Sequence, residues 1–460
     1  MKVIICGAGH VGYNIAKYIS AQKIDVAVID QSKTLIGKIS DSLDVQAYIG
    51  HASDPEVMRR AGAKDADILI AVTRDDEVNM VACQIGHSLF DIGTKIARIR
   101  NRHYINPEAG VLFSDDNIPV DVVIAPEALV AKHISRILNH PKGVLETLPM
   151  ADGLVEIISV RCSDNCPIIK TPLRQLTSLF PDLPMRILAI IRNKEYIIPS
   201  AQEQINPHDE VIFSVAKDDI DRALACFDIN SDAKGNAIIV GGGRVAQNLA
   251  ELLNEDTTVK NVTIIEKNRE QALMAAERLP HTNVIYGDAL DEQILQEAGI
   301  NENDSLIAVS NNDETNIFAS LIAKKMGAHR SIAIATSGIY DKISDSFNID
   351  TIIRPSEITT SSILRYIRLG RIYASYSLHN GFAEILEAEI LEMSPLAGNS
   401  LRDKRGNGDM IAGAIIRDGA VIVPRGDTVF KVGDKVIFIA SKNTVRRAEK
   451  LFSAGLGYDI

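Results

Sequence analysis

Short runs of β-branched residues recur along the first part of the chain and alternate with stretches of helical periodicity. Val3-Ile-Ile-Cys6, Val26-Ala-Val-Ile29, Ile68-Leu-Ile-Ala-Val72, Ile96-Ala-Arg-Ile99 and Val122-Val-Ile124 read as buried strands, with Glu56–Gly62 and Glu77–Phe90 as helices between them. Alternation at this spacing predicts βαβ units that build a parallel sheet. Beyond Pro126 the pattern changes. Leu129, His133 and Ile137, with Val130, Ile134 and Leu138, repeat at helical spacing until Pro141 and Gly143, which predicts a connecting helix. Leu154–Val160, Arg186–Ile191, Tyr196–Ile198 and Glu210–Val215 then predict strands with little helix between them. A final helix falls near Asp218–Cys226, completing a small α+β lobe.

The whole arrangement occurs twice. Gly7-Ala-Gly-His-Val-Gly12 follows the first strand as Gly241-Gly-Gly-Arg-Val-Ala246 follows Ala237-Ile-Ile-Val240. Ala71–Asn79 is echoed by Ala308–Asn316, Asp121–Pro126 by Asp350–Pro355, and Ile190–Pro199 by Ile415–Pro424, in the same order. A self-similarity this long defines the architecture. The predicted fold class is α/β, with two tandem Rossmann-type parallel-sheet domains, each followed by a crossover helix and a small α+β C-terminal domain. The predicted boundaries are 1–126, crossover 127–142 and 143–228 in the first half, then 234–355, crossover 356–370 and 371–456 in the second.

Each fingerprint sits where a phosphate cradle requires it. The first glycine permits a tight strand-to-helix turn, the second lets backbone approach a pyrophosphate, and the third lets helix pack on strand, while the helix N-terminus offers unpaired N–H groups to the anion. Gly7, Ala8, Gly9, His10, Val11 and Gly12 form the first candidate cradle, and Gly241, Gly242, Gly243, Arg244 and Val245 the second. Asp30 and Glu266 close the next strands, where an acid accepts hydrogen bonds from a ribose diol and repels a 2′-phosphate. The expected ligand is therefore NAD(H)-like or an adenosine phosphate, and not NADP. Further candidates are His51 and Asp288, after matched glycines at the end of the third strand, and Thr73 and Ser310, after the fourth. Arg74, Arg98 and Arg100 place cations near phosphates in the first half, whereas the second has Asn311 and the arginine-free run Ile332–Thr336. The two sites are expected to differ in affinity or preferred ligand.

Other residues have plainer readings. Asp75-Asp-Glu77, Asn312-Asp-Glu314, Asp54-Pro-Glu56 and Asp291-Glu292 open helices, where acids are stabilised by free N–H groups and the helix dipole, so capping is expected. Arg365, Arg368 and Arg371 read as a solvated basic face. Five scattered cysteines give no disulfide framework, and Cys162 with Cys166 lacks the second pair of ligands that a zinc site needs.

The chain has 460 residues, with 46% hydrophobic and 24% charged, an ordinary globular balance. Forty-nine basic against sixty acidic side chains leave a net charge of −11, the wrong sign for a partner recognised through its phosphate backbone. Nucleic acid is not expected. No apolar run approaches the length of a bilayer span. The first strand begins at once after Met1, with no room for a signal peptide, so a cytoplasmic location is expected.

These residues carry a resemblance. Gly7–Gly12 with Asp30, Gly50-His-Ala52, Ala71–Asn79 with Val81-Ala-Cys-Gln84, Ile96–Arg100 and Ile124-Ala-Pro-Glu127 resemble the regulator-of-potassium-conductance (RCK/KTN) family. So do Gly241–Ala246 with Glu266, Tyr286-Gly-Asp-Ala289 and Ala308–Asn316, and the likeness covers nearly the whole chain. One departure is that His51 and Ser53 replace the acid the family often carries there, while Asp288 keeps it. The resemblance implies a peripheral protein that binds NAD(H), with ATP or ADP open as ligands. It would dock on the cytoplasmic face of the inner membrane beneath a membrane potassium transporter subunit of Trk type. It also implies dimers or tetramers that form a ring, with sheet lobes paired and crossover helices exchanged.

A ligand-driven switch is favoured over an enzyme on the residues themselves. A dehydrogenase needs a proton-transfer group and a substrate clamp at the nicotinamide. Here the appended lobes carry their polar residues mostly on turns, as in Arg192-Asn-Lys-Glu195, Arg417-Asp-Gly419 and Arg425-Gly-Asp427. No catalytic residue and no metal ligand is assigned. The alternatives are an NAD-dependent oxidoreductase with two fused Rossmann units and a scaffold whose fingerprints no longer bind.

Overall fold

The computed structural model describes residues 1–460 except 22–23, 106–110, 194, 231–234, 256–258, 338, 341–348, 365, 368–371, 379–382, 401–409, 442–443, 446–450 and 453–460. Arg365, Arg368 and Arg371 lie outside the described residues. The chain divides into two compact units, Met1–Val130 with Arg354–Ile367, and Ala131–Ile353 with Arg368–Ile460.

In the first unit, the β-branched runs form β1 (Lys2–Cys6), β2 (Asp25–Asp30), β3 (Gln46–Ile49), β4 (Ile68–Ala71), β5 (Thr94–Arg98) and β6 (Val122–Ile124). They pair in parallel in the order β3-β2-β1-β4-β5-β6. The helices between them are α1 (His10–Ala21), α2 (Lys33–Ser42), α3 (Pro55–Arg60) and α4 (Asp76–Phe90). Side chains alternate across the sheet. Val3, Ile5, Val28 and Ile70 pack beneath Ile15 and Ile19 of α1, while Ile4, Ala27 and Leu69 pack with Met58 and Cys83 on the other face. The strand order reverses between β1 and β4, and the crevice at the carboxyl ends of those strands is where ligands bind in sheets of this kind.

In the second unit, α5 (Pro126–Leu138) is the first crossover helix, lying in this unit from Ala131 onward. It leads into β7 (Val144–Met150), β8 (Val155–Arg161), α6 (Leu173–Leu179), β9 (Met185–Arg192), β10 (Glu195–Ile197), β11 (Glu210–Ala216) and α7 (Ile220–Ala225). The lobe is richer than the sequence pattern predicts. β7 pairs with β8 although Pro149 interrupts its alternation, and α6 lies in the stretch expected to hold little helix. Its sheet order is β10-β9-β11-β8-β7.

The second parallel sheet repeats the first. It comprises β12 (Ala237–Val240), β13 (Val262–Glu266), β14 (Asn283–Tyr286), β15 (Ser305–Ala308), β16 (Arg330–Ile334) and β17 (Thr351–Ile353), in the order β14-β13-β12-β15-β16-β17. Its helices are α8 (Arg244–Glu255), α9 (Arg269–Arg278), α10 (Glu292–Glu297) and α11 (Asp313–Lys325). The second crossover helix, α12 (Pro355–Leu364), belongs to the first unit, where Ile363, Leu364 and Ile367 share the core with Ile15 and Ile19. Conversely, the end of α5 is held by the second sheet. Arg330 of β16, only 4% exposed, donates to Ile137 O at 2.8 Å and His140 O at 2.9 Å. A guanidinium at a helix C-terminus satisfies carbonyls that lack helical partners.

The second small lobe has β18 (Ile372–Leu378), β19 (Ala383–Glu389), β20 (Met410–Arg417), β21 (Ala420–Ile422) and β22 (Lys435–Ser441), in the order β18-β19-β22-β20-β21. The two lobes pack sheet face to sheet face. Ile157, Leu188 and Ile212 meet Ile385, Ile437 and Ile439 in one apolar layer. Ser214 Oγ donates to Gly413 O at 3.0 Å, and Ala151 N to Glu387 Oε2 at 2.8 Å. A Cβ on Gly413 would lie 2.8 Å from Leu188 Cδ2, so glycine sets this approach. Burial raises the Glu387 carboxyl above the ordinary range.

The arginines read as turn residues have a different job. Arg192 forms a two-pronged pair with Asp209 (Nε–Oδ1 3.0 Å, Nη2–Oδ2 2.8 Å), and Arg417 with Asp434 (Nε–Oδ1 2.8 Å, Nη2–Oδ2 2.7 Å). Both aspartates are 1% exposed. Each pair staples a hairpin to the end of the next strand with a fork geometry that lysine does not supply.

His133, buried in α5, gives a pH test. Burial, aided by Arg136, lowers its imidazole from 6.5 to about 4. Between those values the unfolded chain binds a proton that the native chain refuses, so stability falls as pH drops. Urea unfolding should show a loss of about 2–3 kcal/mol between pH 7 and pH 4.5 from this residue. His133→Gln should remove that part of the slope, and an unchanged slope would contradict the assignment.

Candidate functional site

The first candidate site is built on the turn that leaves β1. Gly7 has φ +114° and donates to Ile29 O at 2.8 Å. A Cβ on Gly7 would lie 2.9 Å from Val72 O, and one on Gly12 only 1.8 Å from Gly7 O. Both glycines are therefore structural, the first by dihedral and both by close approach. Gly9 differs, because a Cβ there would meet nothing within 4 Å. That open backbone is where a ligand can come close. Ala8 is buried, Gly9 and His10 are exposed, and Val11 is half-buried.

Asp30, at the end of β2, faces this turn. Its Oδ2 accepts from Ala8 N at 2.7 Å and its Oδ1 from Ser32 N at 2.8 Å. Each carboxylate oxygen keeps acceptor capacity for a hydroxyl. Thr73 follows β4 and donates through N (2.9 Å) and Oγ1 (2.7 Å) to Asn79 Oδ1. Asn79, fully buried, donates in turn to Arg98 O at 2.8 Å. Arg74 is exposed. Arg98 ends β5 half-buried, with no hydrogen-bond partner at its buried Nε. Burial and the neighbouring Arg100 lower its pKa, while Arg100 itself pairs with Glu127 at 2.7 Å. His51, at the mouth of β3, is tied to Ser53 Oγ through Nδ1 at 2.6 Å.

The second site repeats the first, atom for atom in places. Gly241 has φ +101° and donates to Ile265 O at 2.8 Å, and a Cβ on Gly243 would again meet nothing within 4 Å. Buried Glu266 accepts from Gly242 N and, at 2.6 Å, from Asn268 N. Ser310 N and Oγ donate to Asn316 Oδ1 at 2.9 and 2.7 Å, and Asn316 Nδ2 to Ile334 O at 3.0 Å. Ile334 thus stands where the first site has Arg98. Gly243 and Arg244 are exposed, and Val245 is half-buried. Asp288 pairs with Lys267 at 2.6 Å, a contact that lowers its carboxyl pKa.

One expectation is corrected. Asp54 and Asp291 cap their helices through Glu56 N and Gln293 N, both at 2.9 Å, but Asp75 makes no side-chain cap bond. Asp76 Oδ2 accepts from Arg100 N (2.9 Å) and Asn101 N (2.7 Å), tying the loop after β5, and Asp313 does the same for Thr336 N and Ser337 N. Only Asn312 of that segment caps, through Thr315 N at 2.6 Å. An acid that opens a helix is attracted by the loop's free N–H groups as well as by its own helix, and here the loop wins. Asn79 and Asn316 were given no role by sequence reasoning, although both end a repeated segment. Among the described residues no group of three or more His, Cys, Asp or Glu is placed to hold a metal ion, and no helix is long and apolar enough to cross a membrane.

Residues 3–126 and 237–355 match the TrkA-N domain, and residues 157–227 and 385–453 the TrkA-C domain. The chain is 42% identical over 458 residues, 100% of both chains, to the Trk system potassium uptake protein TrkA of Azorhizobium caulinodans. It is 36% identical over 462 residues, again 100% of both, to that of Halomonas elongata. In structure it resembles the GsuK RCK domain, with TM-score 0.61 at 15% identity over 99% of this chain and 95% of that one. The GsuK channel bound to NAD gives TM-score 0.60 at 14% identity over 97% and 78%. At those identities the likeness is one of fold.

The geometry separates two glycine substitutions. Gly9→Ala adds a methyl where the chain has room, so the melting temperature should hold, while any nucleotide that approaches this turn should bind more weakly. Gly12→Ala drives a methyl into Gly7 O and should lower both. Equal NADH affinity in Gly9→Ala and wild type, measured by calorimetry, would remove this turn as a binding surface.

Proposed function

The chain belongs to the family of Trk system potassium uptake proteins of the TrkA type, and from that premise we propose that it is the nucleotide-responsive regulatory component of a membrane potassium uptake system. The two parallel-sheet domains, residues 1–126 and 234–355, hold the nucleotide. The crossover segments 127–142 and 356–370 and the lobes 143–228 and 371–456 carry its effect away from the cradle. NAD(H) is the assigned ligand, with ATP and ADP as competitors for the same turns. The protein works at the cytoplasmic face of the membrane, against a Trk-type transporter subunit and in a ring-forming homo-oligomer.

The observation that carries this reading is the duplicated cradle. In both halves an acid is anchored to the glycine turn while the backbone beside it stays open, as at Gly9 and Gly243. Arg98 supplies the first cradle with a partly buried cation whose Nε lacks a hydrogen bond, as expected of a group that meets a phosphate. Ile334 at the matching place makes the second cradle the weaker phosphate binder. The side chains around the cradles favour holding over turnover. His10 is exposed, and the Nδ1 of His51 is engaged with Ser53. A bound nucleotide then shifts the equilibrium between two arrangements of the chain only by its difference in affinity for them, typically about 1–3 kcal/mol.

Arg98→Gln should weaken binding of NADH or ATP to the first site about tenfold or more, the worth of one charge-assisted hydrogen bond, with little change in melting temperature. In cells that lack the native gene it should restore potassium-limited growth poorly. Full restoration together with unaltered nucleotide affinity would contradict the reading.

A further inference from the structure

The two small lobes meet at a contact where two local costs coincide. Ala383, Ile385 and Glu387 alternate onto one face of β19. The first two belong to the apolar layer between the lobes, together with Met150 and Ala151 at the end of β7. Glu387 is 4% exposed, and its Oε2 accepts from Ala151 N at 2.8 Å. A carboxylate so placed gives up water and disfavours the layer unless it is hydrogen-bonded. Packing does not call for it, because β8, counted from Val155 as β19 is from Ala383, has Ser159 at the same place. The donor carries a cost as well. Asp152 and Gly153 have φ +55° and +86°, as an Asp-Gly pair does in a tight hairpin turn. Ala151 precedes them with φ +52°, and among the described residues it is the only apolar one besides glycine in the left-handed region. There its Cβ crowds the backbone. Asp152 also meets Lys435 at 3.2 Å, but its side chain is 88% exposed and the pair is worth little. Beyond the layer, Leu176, Phe180 and Ile187 of the first lobe and Met410, Phe430 and Phe438 of the second line a cavity of about 810 Å³, so the lobes have room to change how they meet.

We propose that the Ala151–Glu387 hydrogen bond is a strained latch, and that the pair of small lobes is a two-state element that opens there and docks again. Backbone outliers persist only where their surroundings over-determine them, and they concentrate at switch regions. While the lobes are docked, the bond holds Ala151 left-handed. When they part, Ala151 relaxes to an ordinary conformation and Glu387 regains water, so opening releases both costs at once and requires less than unfolding does. The latch joins lobes that follow different parallel-sheet domains, so a change in either half that moves its lobe acts on this one contact. It does not depend on what the glycine turns bind.

The test is oxidation of methionines in the full-length chain by hydrogen peroxide, resolved by peptide mass spectrometry. Met150 is 2% exposed within the layer, Met393 is 72% exposed, and Met58 is fully buried in the core of the first sheet. In wild type Met150 should oxidise more slowly than Met393 and faster than Met58 by about tenfold or more. Ala151→Gly removes the left-handed penalty and keeps the N–H, so it should slow Met150 about fivefold. Glu387→Ala should speed Met150 about threefold or more, with Met58 unchanged as the sign of an intact fold. If Met58 shows that Glu387→Ala does not fold, Ala151→Gly decides alone. Met150 as resistant as Met58 in wild type, equally reactive in wild type and Ala151→Gly, or no faster in a folded Glu387→Ala chain would overturn the proposal.

Discussion

A backbone that folds back on itself within van der Waals reach is the constraint on which the rest of each half depends. The helix after β1 can begin where it does only because Gly12 has no Cβ to strike Gly7 O. The freed N–H of Ala8 is then taken by Asp30 from the neighbouring strand, as that of Gly242 is taken by Glu266. This one closure fixes the helix axis, aims its unpaired N–H groups at the crevice and brings a carboxylate to the edge of that crevice. Ala246, where the first copy has Gly12, shows that a methyl is tolerated when the turn is built around it. The same change in an existing turn has no such adjustment.

Duplication lets one scaffold carry two different electrostatic settings. Both sheets keep the backbone ties made by Asn79 and Asn316 and by Asp76 and Asp313, so the loops that frame each crevice have the same shape. What differs is charge, with Arg98 at the mouth of one crevice and Ile334 at the other. Equal geometry with unequal charge is what a device needs if two sites are to respond to one pool of nucleotides at different concentrations. The apolar layer between the small lobes gives such a response something stiff to act on, since close-packed interfaces shift between discrete arrangements and do not deform gradually.

Much of this is legible in the sequence because it rests on local rules. β-branched runs, glycine spacing and the acid at the end of the second strand each report a nearby physical requirement, and the repeat makes each report twice. What escaped was set by partners far along the chain. Asp76 opens a helix and reads as a cap, yet the donors it serves are Arg100 and Asn101, which only the sheet brings near. Arg192 and Arg417 read as turn residues, yet each ends a strand and meets a buried aspartate seventeen residues on. β7 escapes the pattern because Pro149 interrupts it, and α6 because seven residues, with leucines only at 173, 176 and 179, are too few to establish a helical period. The partners of the crossover helices could not be read at all, since periodicity tells which face is buried and not which sheet buries it.

Nucleotide held at the glycine turns is expected to be felt by the segments that leave the sheets. Hydrogen–deuterium exchange of the full-length chain, with and without saturating NADH or ATP, tests it directly. Altered protection is expected at Gly7–Gly12 and Gly241–Ala246 together with a change along Pro126–Leu138 and in the small lobes. Changes confined to the two turns, or no change with either nucleotide, would contradict it.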